Sequence, residues 1–518
     1  MAQIKILWVD DEITMLRPHI MFLEEKGYSI STSNNGSEAI EKVATENFDL
    51  VFLDENMPGL SGLEVLPELK KLKPMLPVIM ITKSEEERIM EDAIGSSIAD
   101  YLIKPVNPNQ ILLAIKKNID SRKIISEKAT QDYQMEFRNI GMELSNRLDH
   151  TEWIDIYKRL VDWELKLEKS EDSNILNIFQ MQKDEANSVF SRFVEKNYKS
   201  WISGDAAEKP MQSQRVFRET ILPQIGQQQS TFVFMIDNLR YDQWKSIAPV
   251  LSNYFRIDKE DIYYSILPTA TQYARNAFFA GLVPSEIEKK YPQYWVNEHE
   301  EGTKNQFESE LLGEQLKRFG KSVNFSYNKV LNLAAGKKLV ENFHKLMVNP
   351  LNIIVYNFVD MMSHARTDME VIRELASDEK AYRSLTLSWF ENSQLLEMMR
   401  IVAEKGARMI ITTDHGSIRV KRSVKVIGDK NTNSNLRYKF GKNLDFSEKE
   451  VYSVRNPQDI FLPKINVSTS YIFCRESDYF VYPNNMNHYA GYYKDTFQHG
   501  GISMEEMLIP LISLSAKV

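Results

Sequence analysis

Blocks of apolar and polar residues alternate regularly over the first 120 positions of the chain. Short apolar segments such as "IKILWV", "LVFLD" and "PVIMIT" are typical of buried strands. The segments between them, including "EEERIMEDAIGS" at residues 85–96, repeat apolar residues at helical spacing. Five such strands separated by helices predict a doubly wound parallel sheet, in which functional groups gather at the carboxyl ends of the strands.

The pattern changes twice further along the chain. Residues 109–209 contain no proline and repeat apolar residues at helical spacing, which predicts a small helical bundle over residues 121–205. From Pro210 onward short buried strands return: "STFVFMID", "NIIVYNFVD", "RMIITTD" and "MLIPLISL". We therefore expect an α/β multidomain chain, with a five-stranded domain at 1–120, the bundle at 121–205 and a larger α/β domain at 206–518.

Composition narrows the class of protein. The chain has 518 residues, 43% of them hydrophobic and 26% charged, as in a globular protein, and no apolar run is long enough to span a membrane. A single cysteine and no recognisable signal peptide lead us to expect a cytoplasmic protein with no membrane segment. The net charge of −8 argues against a surface that binds nucleic acid throughout, but leaves room for a local basic patch.

Acidic, hydroxyl and basic side chains follow the strands of the first predicted sheet. Asp10 and Asp11 follow the first strand, Asp54 ends the third, Thr82 ends the fourth and Lys104 follows the fifth. On one rim, the carboxylates can bind Mg²⁺, which screens the charge on an incoming phosphoryl group. Asp54 is then the nucleophile for phosphoryl transfer, Lys104 supplies a positive charge and Thr82 can bind the acyl phosphate. Any one of these residues alone is more often a cap or a surface ion pair, but five on one rim favour a phosphoryl switch.

The motifs "VDDE", "LDENMPG" and "YLIKP" resemble those of the receiver domain of two-component response regulators. The resemblance covers about 120 residues and implies that a sensor histidine kinase phosphorylates Asp54. It also implies Mg²⁺ bound by Asp11, the Asp54 carboxylate and the Asn56 carbonyl, with Asp10 assisting. Tyr101 can follow the phosphoryl group inward.

A second set of candidate metal ligands lies in the C-terminal region. Its members are carboxylates and imidazoles at or just after predicted strands: Asp237, Asp360, His364, Asp414, His415 and His499. Three carboxylates and three imidazoles suit Zn²⁺, with Mn²⁺ as the alternative, and form two three-ligand sites. Two ions about 4 Å apart are a common arrangement for phosphoryl chemistry. Thr269 and Thr271 offer a nucleophilic hydroxyl at the N-terminus of a predicted helix, where amides can bind phosphate oxygens.

This ordered set resembles the PglZ-type branch of the alkaline phosphatase superfamily. The motifs "MIDNLRYDQW", "PTATQYARNAFFAGL", "NFVDMMSH", "TTDHGS" and "HGGISMEEMLIPL" carry the resemblance over nearly all of residues 206–518. It implies an alkaline-phosphatase-like α/β domain with Thr271 as the catalytic nucleophile. It also implies one metal at Asp237, Asp414 and His415 and the other at Asp360, His364 and His499.

The layout of receiver, helical bundle and PglZ domain resembles response regulators linked to type IX secretion. That resemblance implies a kinase-controlled hydrolase and contact with a sigma factor. The mixed apolar and charged face formed by "DYLIKPVNPNQILLAIKKNI" predicts that phosphorylation changes the oligomeric state and gives a homodimer.

Two features bear on the substrate. Eight cations lie between residues 419 and 442: Arg419, Lys421, Arg422, Lys425, Lys430, Arg437, Lys439 and Lys442. Together with the aromatic segment "DYFVYPNNMNHYAGYYKDTFQH", they favour a phosphodiesterase acting on nucleotides or oligonucleotides. A solvated loop and ordinary lid packing explain the same residues equally well. The alternatives for the domain are a phosphomonoesterase or phosphotransferase of the same superfamily, or a binding module whose metals only build a partner surface.

Overall fold

The computed structural model of the chain describes residues 4–74, 76–82, 98–115, 118, 121–168, 173–226, 229–298, 300, 302–376, 378–429 and 432–517. The helix predicted at residues 85–96 lies outside these described residues. The chain divides into two compact units, Met1–Gln134 and Met135–Val518.

The first unit contains a five-stranded parallel sheet with the order β2-β1-β3-β4-β5. Its strands are β1 (Lys5–Val9), β2 (Ser29–Ser33), β3 (Leu50–Asp54), β4 (Val78–Thr82) and β5 (Asp100–Ile103). Its described helices are α1 (Arg17–Glu25), preceded by a 3-10 turn at Ile13–Leu16, α2 (Gly36–Thr45), α3 (Gly62–Leu72) and α4 (Pro108–Ile115). The predicted doubly wound sheet is confirmed.

Alternate side chains of the central strands pack on opposite faces of this sheet. Along β1, Leu7 and Val9 belong to one apolar cluster, whereas Ile6 and Trp8 belong to another. Burial on both faces explains why this strand reads as a continuous apolar run in the sequence. The acidic residues that follow the central strands are therefore set at the rim of a rigid sheet.

Three helices follow: α5 (Ser121–Leu144), α6 (His150–Leu167) and α7 (Ser173–Ser203). Helix α6 begins with a capping box, in which Asp149 accepts hydrogen bonds from backbone amides and Glu152 reaches back to the Asp149 amide. Helices α6 and α7 pack through aromatic rings, with the Trp153 and Phe190 centroids 5.2 Å apart. The helical spacing of apolar residues in this region is thus explained by burial between helices.

The second unit is organised around a six-stranded sheet with the order β7-β19-β10-β6-β9-β8. Its strands are β6 (Thr231–Ile236), β7 (Phe255–Tyr264), β8 (Phe325–Val330), β9 (Leu351–Tyr356), β10 (Arg408–Thr412) and β19 (Leu508–Ala516). Strands β10, β6, β9 and β8 are parallel, and β19 runs antiparallel between β10 and β7. The carboxyl ends of β10, β6 and β9 therefore lie side by side at one edge.

The remaining elements surround this sheet. The helices are α8 (Ser213–Val216), α9 (Tyr241–Leu251), α10 (Thr271–Ala280), α11 (Pro284–Lys290), α12 (Glu308–Arg318), α13 (Leu333–Glu341), α14 (Phe358–Asp368), α15 (Glu370–Leu375), α16 (Glu379–Glu391), α17 (Gln394–Glu404), α18 (Met486–Tyr493) and α19 (Met504–Met507). Short 3-10 turns lie at Leu222–Gln224, Pro292–Tyr294, Phe343–Val348 and Pro457–Ile460, and a π-helical turn at Phe217–Ile221.

Short strands form three small sheets in the described part of the second unit. They are β11 (Ile418–Arg419), β12 (Arg422–Ile427), β13 (Tyr438–Gly441), β14 (Asp445–Phe446), β15 (Val451–Val454), β16 (Ser470–Cys474), β17 (Asp478–Val481) and β18 (Phe497–Gln498). The sheets have the orders β11-β18, β14-β12-β17 and β13-β16-β15. Among the described residues, no helix has the length and apolar character needed to cross a membrane.

Candidate functional site

The first unit has an acidic cluster at the carboxyl ends of β1 and β3. Carboxylate oxygens of Asp10, Asp11 and Asp54 lie within 4.8 Å of one another. Lys104 Nζ lies 2.9 Å from Asp54 Oδ2 and 3.0 Å from Asp10 Oδ2. Asp54 Oδ1 is buried and accepts no hydrogen bond from a described residue. Three carboxylates facing one ammonium leave an excess of negative charge, which a divalent cation can neutralise.

The electrostatics of this cluster are set by burial and by mutual contact. Burial raises the pKa of Asp54, Asp10 and Asp11 add to that rise, and Lys104 opposes it. Burial disfavours the charged form of Lys104, but its bonds to Asp54 and Asp10 outweigh that effect and raise its pKa. Burial and the neighbouring carboxylates thus work against the charged form of Asp54, and the contact with Lys104 favours it.

The other predicted residues of the first unit lie on the same side of its sheet. Thr82 is the buried last residue of β4, and Tyr101 is half-buried in β5. Asn56 lies exposed on the turn after β3, two residues beyond Asp54. The structure thus places Asp54, Thr82 and Lys104 at the ends of three neighbouring strands, as the pattern predicts.

One ligand set of the second unit is built by adjacent parallel strands. Asp237 follows β6 directly, and Asp414 follows β10 by one residue. Because β6 and β10 are parallel neighbours, their ends bring both carboxylates to His415. His415 Nε2 lies 3.8 Å from Asp237 Oδ1 and 3.7 Å from Asp414 Oδ2, and all three side chains are fully buried. Their candidate ligand atoms lie within 4.8 Å of one another.

The other ligand set is formed by helix α14 and the residue after β18. Asp360 and His364 lie four residues apart on α14, with His364 Nε2 3.6 Å from Asp360 Oδ2. His499 Nε2 lies 3.8 Å from Asp360 Oδ1. The His364 side chain is 63% exposed, whereas that of Asp360 is 17% exposed. This ligand set is therefore accessible to solvent on the His364 side.

The two ligand sets come together where the rings of His415 and His499 stack, and Thr271 lies beside His415. Pairing of β18 with β11 brings His499 beside His415, and the two rings stack with centroids 4.1 Å apart. Thr271 is the first residue of α10, and its Oγ1 lies 3.0 Å from His415 Nε2. A hydroxyl at a helix N-terminus thus contacts the set of Asp237, Asp414 and His415, on the side where the sequence predicts a nucleophile.

Backbone contacts fix the orientation of both stacked imidazoles. His415 Nδ1 lies 3.1 Å from the Gly416 carbonyl oxygen, and His499 Nδ1 lies 3.1 Å from the Thr269 carbonyl oxygen. Because a carbonyl oxygen can only accept, each Nδ1 carries the hydrogen and each Nε2 presents a lone pair, which at His415 faces the Thr271 hydroxyl. Burial lowers the pKa of His499 well below its usual value, and the neighbouring His415 and His364 lower it further. The neutral imidazole that a metal needs is therefore the favoured form.

Thr269, the other candidate hydroxyl, precedes helix α10 and does not cap it. Ala270 occupies the N-cap position. The buried Thr269 hydroxyl instead donates to the Gly501 carbonyl oxygen at 2.9 Å and accepts from the Gly500 amide at 3.1 Å. Together with its carbonyl contact to His499, this makes Thr269 an anchor of the His499 segment.

Sequence reasoning missed Arg275, which lies one turn after Thr271 on α10. Its buried guanidinium pairs with Asp237 through Nη2 and with Asp414 through Nε, the latter at 3.0 Å. Burial raises the pKa of Asp237 well above its usual value, although Arg275 opposes the rise. For Asp414, burial is outweighed by Arg275 and His415, and the pKa falls to about 2. The available sequence signal was one arginine within the apolar stretch "ARNAFFAG".

A further acidic cluster, Glu164, Asp242 and Glu379, is neutralised by basic side chains. Arg240 contacts Asp242 and Glu379, and Arg383 contacts Glu164 and Asp242. All three carboxylates thus have guanidinium partners. We therefore assign this cluster to packing between helices and not to metal binding.

Several members of the predicted basic cluster pair with carboxylates. Its paired members are Arg419 with Asp495, Lys421 with Asp184, Arg422 with Asp478 and Arg437 with Glu506. Lys439 is buried, and burial lowers its pKa to about 8. Lys425 and Lys442 are exposed, and Lys430 lies outside the described residues. Four of the seven described cations therefore have carboxylate partners, which reduces the positive charge that the cluster can offer to a polyanion.

The aromatic segment before His499 does offer accessible rings. Helix α18 carries Tyr489, which is 40% exposed, and Tyr492, whose ring lies 5.2 Å from the Arg373 guanidinium. Arg373 Nη2 donates at 2.6 Å to the carbonyl oxygen of Thr367, three residues after His364 on α14. The Arg373–Tyr492 pair is therefore bonded to helix α14, which carries the exposed candidate ligand His364.

Comparison with protein families matches three regions of the chain. Residues 6–116 match the response regulator receiver domain, residues 123–202 the PorX response regulator linker domain and residues 216–514 the BREX system PglZ alkaline phosphatase-like domain. The order of the three domains is PorX-like. Alkaline phosphatase-like and receiver domains generally bind divalent metals.

Individual relatives share the receiver region. The transcriptional regulatory protein ResD of Bacillus subtilis is 39% identical over 112 residues, which are 22% of this chain and 46% of ResD. AlgB, the alginate biosynthesis transcriptional regulatory protein of Pseudomonas syringae pv. tomato, is 37% identical over 120 residues, 23% of this chain and 27% of AlgB. The chain thus spans about a quarter to a half of the length of these relatives. Among solved structures, the response regulator TrrA of Thermotoga maritima in complex with Mg²⁺-BeF is 36% identical in sequence. The match covers 22% of this chain and 98% of TrrA, and its TM-score is 0.21.

Proposed function

The chain belongs to the PglZ alkaline phosphatase-like family, and from this premise we propose that it is a response regulator whose output domain is a metal-dependent phosphodiesterase. Receiver domains are phosphorylated by sensor histidine kinases, and Asp54 is the acceptor in this proposal. The observation that carries the catalytic proposal is the position of Thr271. Its hydroxyl lies at a helix N-terminus, 3.0 Å from Nε2 of His415, the ligand whose ring stacks on His499 of the second set.

The donors of the second unit fit two divalent cations. We propose Zn²⁺, with Mn²⁺ as the alternative, at two sets: Asp237, Asp414 and His415, and Asp360, His364 and His499. Two imidazole lone pairs are available, and the buried Asp237 Oδ1 accepts no hydrogen bond from a described residue. Bound cations would screen the phosphoryl charge and lower the pKa of the Thr271 hydroxyl. In the receiver, Mg²⁺ would be held by Asp10, Asp11, Asp54 and the Asn56 carbonyl.

The chain's own residues then position the reaction. Attack by Thr271 Oγ1 forms a P–O bond to threonine and breaks the bond to the leaving alcohol oxygen, which takes up a proton. Water cleaves the threonine phosphoester, releases a phosphomonoester and restores the hydroxyl. The first amides of α10 and its dipole stabilise the phosphoryl oxygens. Asn305 Nδ2 donates to the Thr271 carbonyl oxygen at 2.9 Å and so holds the backbone of the nucleophile.

The proposed substrates are nucleotide or oligonucleotide phosphodiesters. Tyr489 and Tyr492 lie on α18, and Arg373 ties Tyr492 to the end of α14 near the exposed His364. Aromatic rings at the open side of a phosphoryl site can stack bases, with a sequence-tolerant gain of about 1–3 kcal/mol per base. The PorX-like order of domains supports a role in regulating type IX secretion, with a sigma factor as a partner.

Thr271→Ala tests the catalytic proposal in zinc-loaded protein. It removes the attacking oxygen but no charged ligand, so zinc content should be retained. Cleavage of bis-p-nitrophenyl phosphate should fall by at least about a hundredfold, or about 2.7 kcal/mol. Thr271→Ser keeps a hydroxyl and should recover much of the activity.

Three outcomes would contradict this proposal. Near-normal turnover by zinc-loaded Thr271→Ala would exclude threonine as the nucleophile. Preferential hydrolysis of p-nitrophenyl phosphate by the wild type would favour the phosphomonoesterase alternative. A wild type that binds zinc but cleaves neither ester would support the binding-module alternative.

A further inference from the structure

We infer that Arg275 is a positioning residue that orients two metal ligands and keeps the site beside Thr271 electropositive. The inference rests on the proposed two-metal site. Arg275 lies on the same helix as Thr271, one turn further on, and its side chain is fully buried. It therefore cannot act as a surface ion pair.

Arg275 contacts one oxygen of each of two ligand carboxylates. Its Nη2 pairs with Asp237 Oδ2, and its Nε lies 3.0 Å from Asp414 Oδ2. Asp237 Oδ1 is left without a hydrogen bond from the described residues and faces His415 Nε2 at 3.8 Å. At Asp237, the guanidinium holds Oδ2, fixes the rotation of the carboxylate and so presents Oδ1 to the imidazole. At Asp414, Arg275 and His415 approach the same oxygen, Oδ2, and the guanidinium fixes the carboxylate from the other side.

Charge gives Arg275 a second effect. Two carboxylates and one dication would balance, so a guanidinium in the same buried cluster leaves one positive charge. That charge is available to a deprotonated Thr271 or to an anionic phosphoryl oxygen, and its influence is strong where water is excluded. A neutral side chain at residue 275 would leave the cluster uncharged with its cation bound.

Arg275 is itself held in place by residues outside the ligand sets. Its Nη1 lies 3.6 Å from Glu308 Oε1, and Lys329 Nζ lies 3.1 Å from Glu308 Oε2. Lys329 Nζ also donates to the Asn305 carbonyl oxygen at 3.1 Å. Because Asn305 holds the Thr271 backbone, the start of α12 and the edge strand β8 support both the nucleophile and the arginine.

The experiment measures the zinc dissociation constant by competition with a chromophoric chelator. Arg275→Met should weaken zinc binding at the site of Asp237, Asp414 and His415 by about 10- to 100-fold. A loss of this size is expected when a hydrogen-bond partner of a metal ligand is removed. Arg275→Lys keeps the charge but lacks the planar fork, so its loss should be smaller. At saturating zinc, Arg275→Met should still show a lower kcat, because the positive charge is gone.

Arg383→Met is the matched control. Arg383 is also buried and pairs with three carboxylates, those of Glu164, Glu168 and Asp242, which lie outside both ligand sets. Its loss should lower the stability of the fold and leave zinc affinity unchanged. Should Arg275→Met fail to fold, Glu308→Gln replaces it, with zinc binding expected to be at least about threefold weaker.

The outcomes separate this inference from the proposed function. Zinc binding by Arg275→Met that equals or exceeds that of the wild type would overturn the inference and leave the proposed function standing. For Glu308→Gln, unchanged zinc binding and unchanged kcat would also overturn it. A wild type that binds no zinc would overturn the proposed function itself.

Discussion

Each of the two stacked imidazoles in the second unit has one nitrogen bonded to the backbone. His499 Nδ1 donates to the Thr269 carbonyl oxygen, and His415 Nδ1 donates to that of Gly416. Such contacts select the tautomer that leaves Nε2 free, a common arrangement around metal-binding histidines. The backbone thus prepares both rings before any metal arrives.

The lowered pKa of His499 predicts an acid-sensitive metal-free protein. Burial, with His415 and His364 nearby, holds this pKa well below that of an unfolded histidine, near 6.5. Below about pH 6.5, His499 binds a proton in the unfolded chain but not in the folded chain. The free energy of unfolding is therefore highest above about pH 6.5 and decreases as the pH falls. Urea unfolding of chelator-treated protein between pH 7.5 and 5.5 should show a steeper loss for the wild type than for His499→Gln.

The difference in slope should reach at most about 1.4 kcal/mol per pH unit. Asp237, whose pKa is raised by burial, contributes with the opposite sign, but it is present in both proteins. Equal slopes in the two proteins would refute the assignment of a neutral, buried His499.

Thr269→Val tests whether the Thr269 hydroxyl anchors the segment that carries His499. The isosteric change removes the hydroxyl contacts with Gly500 and Gly501, so stability should fall by about 1–3 kcal/mol. Because these contacts hold the segment of His499, zinc binding at that set should also weaken. Loss of stability with unchanged zinc affinity, measured by chelator competition, would reduce Thr269 to a packing role.

The sequence predicted those site residues that lie near strand ends, and for a physical reason. Asp237 directly follows its apolar strand and Asp414 follows its own after one intervening residue, so their proximity depends only on the strands being parallel neighbours. The pairing of Arg275 with both of them depends on how α10 packs against the sheet, and no local pattern encodes that packing. Likewise, the cations between residues 419 and 442 looked like a patch because their distant acidic partners are invisible in the sequence.

At the scale of elements, periodicity predicted which segments are strands and helices but not every neighbour. The parallel order of the first sheet follows from the alternation of strands and helices. In the second unit, the C-terminal strand β19 inserts antiparallel between β10 and β7, a non-local pairing that the pattern does not encode. The two-residue pairing of β11 with β18 is also too short to predict, yet it brings His499 beside His415.

Helix α18 carries the element-scale prediction about substrate. If Tyr492 and Arg373 receive a base, Tyr492→Leu should raise KM for a dinucleotide phosphodiester by at least about fivefold, the equivalent of one lost stacking contact near 1 kcal/mol. Its kcat should change little, because the ring lies outside the ligand sets. Bis-p-nitrophenyl phosphate, which has no base, serves as the control substrate and should show an unchanged KM. An equal rise in KM for both substrates would argue against base stacking.

At the scale of the whole molecule, the bundle and the effector domain share a buried ionic network. Lys183 of α7 lies 2.9 Å from Glu164 of α6 and 3.2 Å from Glu505. The Glu505 carbonyl leaves no room for a side chain at Gly416, the neighbour of His415. The bundle is therefore packed directly against the segments that carry both stacked histidines.

Lys183→Met should test how far this network supports the second unit. It would leave Glu505 without its ammonium partner, and removing one member of a buried pair typically costs about 3–5 kcal/mol. Thermal unfolding monitored by tryptophan fluorescence should shift to lower temperature. Lys199→Met removes an exposed pair of the same helix with Asp459 and should have little effect. A similar small effect in both variants would show that the network contributes no stability.

Phosphorylation of Asp54 should convert the whole chain to a dimer. Lys104 now bonds to both Asp54 and Asp10, and a phosphoryl group on Asp54 would compete for that ammonium. Because β5 is the edge strand of its sheet, a shift of Lys104 changes a surface that a second copy can reach. Helix α4 packs beside β5, and its Leu113 is 68% exposed, so we expect Leu113 to take part in the interface.

Beryllofluoride with Mg²⁺, which mimics the acyl phosphate, should therefore produce a dimer in sedimentation velocity experiments. Asp54→Ala should stay monomeric under the same conditions, since the acceptor is missing. Leu113→Asp should bind the mimic but fail to dimerise, because the charge would have to be buried in the interface. If Leu113→Asp dimerises as the wild type does, the dimer uses another face. If the mimic leaves the sedimentation profile of the wild type unchanged, phosphorylation does not drive dimerisation.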